Sequence, residues 1–208
     1  MKKLLVFSAL TLLFSFASDK NYFTGKIVYK FSFTDLKGND ITEKMAPFFG
    51  SEGHYYIDGK NYKTADEKNN LTQLYNSKTN LYYHFTVDNT ALKIDASTVV
   101  SKKNIITKLD KKEKIAGYDC NSLQIETDTE TSVFYYSDLV KTNPKTFSKH
   151  ELGSWNRYLK ATDGAITLKY IMTNTDQGYI WTAIATEVTK MSLTEKDFEY
   201  PADVKLKN

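Results

Sequence analysis

The chain predicts a mainly β protein built from antiparallel sheet. Three observations carry this expectation. Apolar and polar residues alternate over several stretches, short polar turns separate those stretches, and Tyr, Phe, Thr, Ile and Val dominate over helical patterning. Consecutive strands joined by turns this short must run antiparallel, because parallel neighbours need long crossovers. The spacing predicts roughly nine to eleven strands, with no repeat of fixed length.

From Lys26 to Phe33, Ile27, Tyr29, Phe31 and Phe33 share one face, and Lys26, Val28, Lys30 and Ser32 the other. From Leu81 to Val87, Leu81, Tyr83, Phe85 and Val87 form the apolar face opposite Tyr82, His84 and Thr86. Ala165 to Met172 brings Ile166, Leu168, Tyr170 and Met172 together. Tyr179 to Lys190 places Ile180, Ile184 and Val188 on one side and Tyr179, Trp181, Ala183 and Ala185 on the other, as in a strand covered on both faces. Asp58-Gly59 suits a hairpin between His54–Ile57 and Asn61–Thr64. Asn76–Asn80, Thr127–Thr131, Asp163-Gly164 and Asn174–Gly178 are further polar connections.

Two helices interrupt the pattern. Asp40 and Glu43 resemble a capping box, and Pro47 is expected to end the helix that follows. Asn143-Pro144 reads as a cap followed by a first-turn proline. Phe147, Leu152, Trp155, Tyr158 and Leu159 give a helical stripe from there, weakened by Gly153.

Met1–Ala17 has the order of a secretory signal peptide: Lys2-Lys3, an apolar run, then Ser15-Phe16-Ala17 at a cleavage site. The apolar run is shorter than the roughly 20 residues a span needs. Ser18, not a cysteine for acylation, follows the cut. The expected product is residues 18–208, a single domain, periplasmic or secreted, and not lipid-anchored. The formal charge of +3 includes Lys2 and Lys3, and arginine occurs once, at Arg157. That balance excludes a nucleic-acid partner, which would require a clustered basic excess. Cys120, the single cysteine, cannot form an internal disulfide and is expected to pack within a strand.

No catalytic constellation stands out. His54, His84 and His150 lack metal-ligand spacing, so neither metal nor cofactor is expected. His84 falls on a polar strand face and is expected to meet solvent. Asp58, Asp66, Glu67 and Asp163 sit in or beside turns, where carboxylates cap backbone amides. There is no G-x-S-x-G elbow or Walker loop. The aromatic load, 15 Tyr, 12 Phe and 2 Trp, points to a surface platform or an inward pocket wherever it exceeds what sheet packing absorbs.

Ile115–Thr127 (IAGYDCNSLQIET), continuing into Val133–Ser137 (VFYYS), resembles envelope proteins of the DUF4412 type. Phe198–Lys205 (FEYPADVK) looks like their closing strand. Phe23–Phe33 and Lys44-Met45-Ala46 before Phe48-Phe49-Gly50 fit the same layout. Those proteins are similar to the LolA-like superfamily of lipoprotein carriers. The resemblance implies a curved antiparallel sheet, an unclosed half-barrel covered by one to three short helices, with an apolar cavity between. On face assignment, Phe31, Phe33, Tyr83, Phe85, Tyr170 and Trp181 are expected to line that cavity, and Phe48, Phe49 and Trp155 to sit on the covering helices. The expected function is non-enzymatic binding of a lipid or other apolar small molecule. The alternative is an envelope scaffold that binds a glycan or an envelope protein partner through surface aromatics. A lipocalin ranks lower because Lys26-Ile27 follows Gly25 where Gly-x-Trp would stand, and an enzyme of unrecognised type is the remaining reading.

Overall fold

The computed structural model describes residues 22–207. The signal peptide expected over Met1–Ala17, and its cleavage after Ala17, lie outside the described residues. Twelve strands form one curved, unclosed sheet. In chain order, the first six are β1 (Gly25–Asp35), β2 (Glu52–Ile57), β3 (Asn61–Asp66), β4 (Leu71–Asn76), β5 (Leu81–Phe85) and β6 (Thr90–Asp95). The remainder are β7 (Ile105–Ile115), β8 (Tyr118–Glu126), β9 (Glu130–Lys141), β10 (Ala165–Asn174), β11 (Tyr179–Lys190) and β12 (Lys205–Lys207). Helices α1 (Thr42–Phe49) and α2 (Trp155–Ala161) complete the set.

The spatial order is β12-β6-β5-β4-β3-β2-β1-β11-β10-β9-β8-β7. β1 and β11 pair at the centre along their whole length, from Gly25 opposite Lys190 to Asp35 opposite Tyr179. One arm leaves β1 as the β2–β6 meander, and the other leaves β11 as β10, β9, β8 and β7. Register shifts bend the strands where the sheet must curve: between Val28 and Tyr29 against β11, twice in β10 against β9, and between Leu109 and Glu113 in β7.

The predicted strands are present, and the polar connections fall at their ends, the one over Thr127–Thr131 running two residues into β9. At the turns the short acids act as expected. Asp58 accepts the amides of Lys60 and Asn61 at 2.7 and 2.6 Å. Asp66 accepts those of Lys68 and Asn70 at 2.9 and 2.8 Å. Asp35, in the same Asp-x-Lys-x-Asn pattern, takes Lys37 and Asn39 at 2.8 and 2.9 Å. The hairpin within the family-like motif turns on Ala116 and Gly117, both at positive φ (48° and 86°), the geometry that matches strand twist in a two-residue loop.

Four expectations need correction. The described residues form twelve strands, and one pair, β12 with β6, is parallel. Lys205-Leu206-Lys207 carries too short a pattern to read, and it reaches β6 only after the tail has crossed the sheet. Val87 lies beyond β5 in a fully exposed turn closed by a Thr86 amide donating to Thr90 O at 2.9 Å. Pro47 lies inside α1, which runs on to Phe49 and stops at Gly50, whose φ is 77°. In so short a helix the proline removes one intrahelical bond, and packing of Phe49 on Phe33 holds the turn regardless. Finally, Asn143-Pro144 opens turns, with Asn143 Oδ1 accepting the Lys145 amide at 3.1 Å. The helix begins only at Trp155, because Gly153 and Ser154 both adopt left-handed backbone, at φ 64° and 59°.

Most of the predicted stripe is nonetheless core: Phe147, Tyr158 and Leu159 are in it, Trp155 packs against it, and Leu152 borders open space. The segment from Thr142 to Ala161 lies between the arms and ties to both. On the first arm, Tyr75 packs on Phe147 and His150 at ring distances of 5.6 and 4.4 Å. The Tyr62 hydroxyl and His150 Nε2 are hydrogen-bonded at 2.8 Å. Glu151 and Leu152 donate their amides to Ala96 O at 2.7 and 3.0 Å. On the second arm, Tyr158 packs on Phe134 at 5.1 Å. Phe147, Tyr158 and Leu159 are almost completely buried. Cys120 is buried in the same core, where loss of hydration pushes its thiol up to about 11, so it stays protonated and inert.

A smaller core occupies the other face of the first arm. Leu74, Phe85 and Ala91 pack there under Phe198, with Tyr56, Tyr83, Leu193 and Tyr200 around them. The covering tail enters through a short 3-10 turn (Glu195–Phe198), capped reciprocally by Thr194 and Asp197. The Lys63 ammonium sits 5.2 Å from the Tyr56 ring centre and 6.0 Å from that of Phe198.

Candidate binding cleft

The space between the arms is filled where α2 lies and open beside it. The open part is a cleft of about 500 Å³. One wall is Tyr82 and His84 of β5 with Leu92 and Ile94 of β6. The facing wall is Ile125 of β8 with Ser132 and Phe134 of β9, and Leu152-Gly153-Ser154 forms the inner end. Val100 and Ser101 close one side, and Thr127, Thr129 and Glu130 form a polar rim at the β8–β9 turn.

Strand alternation explains each wall. Tyr82 opposes Ile94 and His84 opposes Leu92 across β5–β6, so all four project to the concave face. Ser132 opposes Ile125, and Phe134 opposes Leu123, across β9–β8. Tyr82 is partly buried against the main core, and burial raises its hydroxyl pKa to about 12. His84 is exposed, as expected, and the surface it meets is the cleft. Glu130 is half-buried, and the loss of hydration raises its carboxyl pKa, with the Ser132 hydroxyl opposing that shift. The rim hydroxyl of Ser101 is tied to Lys103 O at 2.7 Å and to Asp128 Oδ2 at 2.8 Å, which fixes the loop before β7.

The nine residues expected at the cavity separate into four places. Phe31, Phe33, Phe49, Tyr170 and Trp181 form one aromatic cluster at the outer end of β1 and β11. Trp181 lies 5.4 Å from Phe31, 5.7 Å from Phe33, 5.6 Å from Phe49 and 5.2 Å from Tyr170. This cluster is packed under α1 and lines no part of the 500 Å³ cleft. Phe48, 80% exposed, borders a second, shallow depression with Met45, Phe49 and Tyr179. Trp155 is on α2 as expected, stacked on Tyr158 at 5.4 Å within the filled region. Tyr83 and Phe85 require a correction: they face the convex side and pack on Tyr200 at 4.8 and 5.8 Å. The run Leu-Tyr-Tyr-His-Phe is apolar on both faces, and the terminal Phe198 and Tyr200 decide which face is which. Their apolar character near the chain end was the available signal that a second face needed a cover.

No helix among the described residues is long and apolar enough to cross a membrane. The family model for the domain of unknown function DUF4412 matches residues 60–204, most of the chain. No curated protein matches by sequence. Among solved structures, the chain resembles PNGF-II in two crystal forms, at 15% identity with TM-scores of 0.50 and 0.51. The match covers 88% and 89% of this chain but only 31% of PNGF-II, so the likeness is one of fold over a part of that protein. A LolA superfamily protein from Nitrosomonas europaea aligns over 86% of this chain and 91% of its own, at 8% identity and TM-score 0.37. An outer membrane lipoprotein-sorting protein domain from Vibrio parahaemolyticus, itself described as a candidate for that role, aligns over the same shares at 11% identity and TM-score 0.37.

Proposed function

The chain belongs to the DUF4412 family, and from that premise we propose that it is an exported, non-enzymatic binding protein that holds a lipid or other apolar ligand in the cleft between its arms. The carrying observation is the cleft itself. Tyr82, Leu92, Ile94, Val100, Ile125, Phe134 and Leu152 converge on a volume that the described residues do not fill, beside a region packed densely with Phe147, Trp155 and Tyr158. Each methylene that leaves water for such walls contributes about 0.8 kcal/mol. Export follows from the order of Met1–Ala17. The rim hydroxyl of Ser101 serves the loop before β7, bonded to Lys103 O and to the Asp128 carboxylate, which is itself held by the amides of Lys102 and Lys103.

The test is uptake of a neutral apolar fluorophore, N-phenyl-1-naphthylamine, whose emission rises on leaving water. Leu92 and Val100 are 40% and 66% exposed, so Leu92→Lys with Val100→Lys leaves the fold intact while charging the cleft. The expected result is enhanced emission with the native chain and its loss in the double variant. Absence of enhancement, or enhancement that the variant preserves, overturns the reading. Native mass spectrometry of protein purified from its own envelope then identifies the cargo.

A second reading, an envelope-binding module working through surface aromatics, rests on Phe48, which stands exposed on α1 at a depression it shares with Met45, Phe49 and Tyr179. Loss of a stoichiometric envelope partner from a pull-down on Phe48→Ser is the result that favours it.

A further inference from the structure

The cleft's charge constrains the head group of whatever apolar chain it holds, an inference that rests on the binding reading above. Among the described residues, neither lysine nor arginine lines it. Lys93, between Leu92 and Ile94, projects to the other face by strand alternation. Lys103 is engaged by Glu126. The one formal charge on the lining is Glu130, at the polar rim with Thr127, Thr129 and Ser132. The titratable groups near it are the hydroxyls of Tyr170 on β10 and Tyr179 on β11, with His84 on the facing wall. No ion pair satisfies Glu130 among the described residues. The neighbouring acids differ: Glu126 pairs with Lys103, and Asp128 accepts from Ser101 and from the amides of Lys102 and Lys103 at 2.9 and 3.2 Å.

A half-buried carboxylate without a cation is costly unless a ligand supplies one or the group is protonated. A ligand that brings a carboxylate or phosphate to this rim meets the Glu130 carboxylate, with no positive side chain on the lining to offset it. We propose that the cleft selects amphiphiles whose head group is a cationic amine donating hydrogen bonds to Glu130, with the aliphatic chain running inward along Leu92, Ile94, Phe134 and Leu152.

Dodecylamine, dodecanol and dodecanoate share one tail and differ in the head group. Each is titrated at neutral pH, below its self-association concentration, against bound N-phenyl-1-naphthylamine. The expected order is amine, then alcohol, then carboxylate, with the amine tighter than the alcohol by roughly tenfold or more, as for a hydrogen bond to a charged group. In Glu130→Gln the amine is expected to lose that advantage while the alcohol binds as before. A carboxylate that competes as well as the amine overturns the head-group inference and leaves the cleft reading standing, as does an amine advantage that survives Glu130→Gln. Failure of all three to displace the fluorophore overturns both. The ranking in the native chain decides the matter even where the variant does not fold.

Discussion

The filled and open halves of the concave face are made from the same material and behave as opposites. Under α2, Tyr62, Tyr75, Phe147, His150 and Tyr158 interlock until the largest of them are almost fully buried. A few residues away, Tyr82, Ile94, Ile125 and Phe134 line a volume that no side chain of the described residues fills. The boundary is Gly153-Ser154. Their left-handed backbone turns the chain out of the 3-10 turn at Leu152–Ser154 and into α2, so the plug goes one way and the cleft is left on the other. An aromatic on this curved sheet is thus core or binding surface according to where the plug lies, and its residue type does not tell which.

The sharpest way to break the comparison is to truncate each half. Phe147→Ala removes a ring from the filled half and is expected to cost about 3–5 kcal/mol in urea unfolding. Leu92→Ser on the open half is expected to stay within about 0.5 kcal/mol of the native chain while weakening fluorophore uptake. Equal losses from the two would dissolve the distinction.

Next in size is a pH effect confined to the filled half. Burial lowers the His150 pKa to about 4, below the roughly 6.5 of an unfolded histidine. Above the unfolded value both states are neutral and His150 adds no pH dependence. As pH falls from there toward 4, the unfolded chain binds the proton first, and stability declines by an amount on the order of 3 kcal/mol. Urea midpoints between neutral pH and pH 4 should fall more steeply for the native chain than for His150→Gln, which starts lower and lacks this titration. Parallel curves would show that His150 is not the group responsible.

The smallest expected effect lies outside both halves. Ala116 pays for left-handed backbone in the Ile115–Tyr118 hairpin, and Ala116→Asn is expected to stabilise by about 0.5–1 kcal/mol, read as a rise in melting temperature with fluorophore uptake unchanged.

The sheet was legible in the sequence because alternation and turn chemistry are local. Asp58, Asp66 and Asn174–Gly178 mark turns by bonds made within a few residues. Ile180 and Tyr179 separate onto two faces by period alone. The cleft was harder to read because it depends on contacts across the chain. Whether Tyr82 or Tyr83 faces inward is settled by Tyr200, more than a hundred residues later. The start of α2 is settled by two left-handed residues that follow a cap and proline pointing to an earlier start. The aromatic cluster under α1 shows the reverse. Phe31, Phe33, Phe49, Tyr170 and Trp181 do meet, as their faces implied, but they meet one another and leave no space.

The pairing at the middle of the sheet has a consequence for how the chain comes to be folded. β1 and β11 hold the two arms together, yet Phe31 finds Ala183 only when nearly the whole chain is present. Within each arm most neighbouring strands are joined by short turns, β9 and β10 being linked by the segment that carries α2, while the junction of the arms closes a loop spanning most of the sequence, the slow kind of contact. A chain ending at Asn174 should therefore lose the cooperative urea transition of the full chain, not merely shift it. The last long strand, β11, is thus also the keystone of the sheet: until it pairs with β1, nothing joins one arm to the other along the sheet.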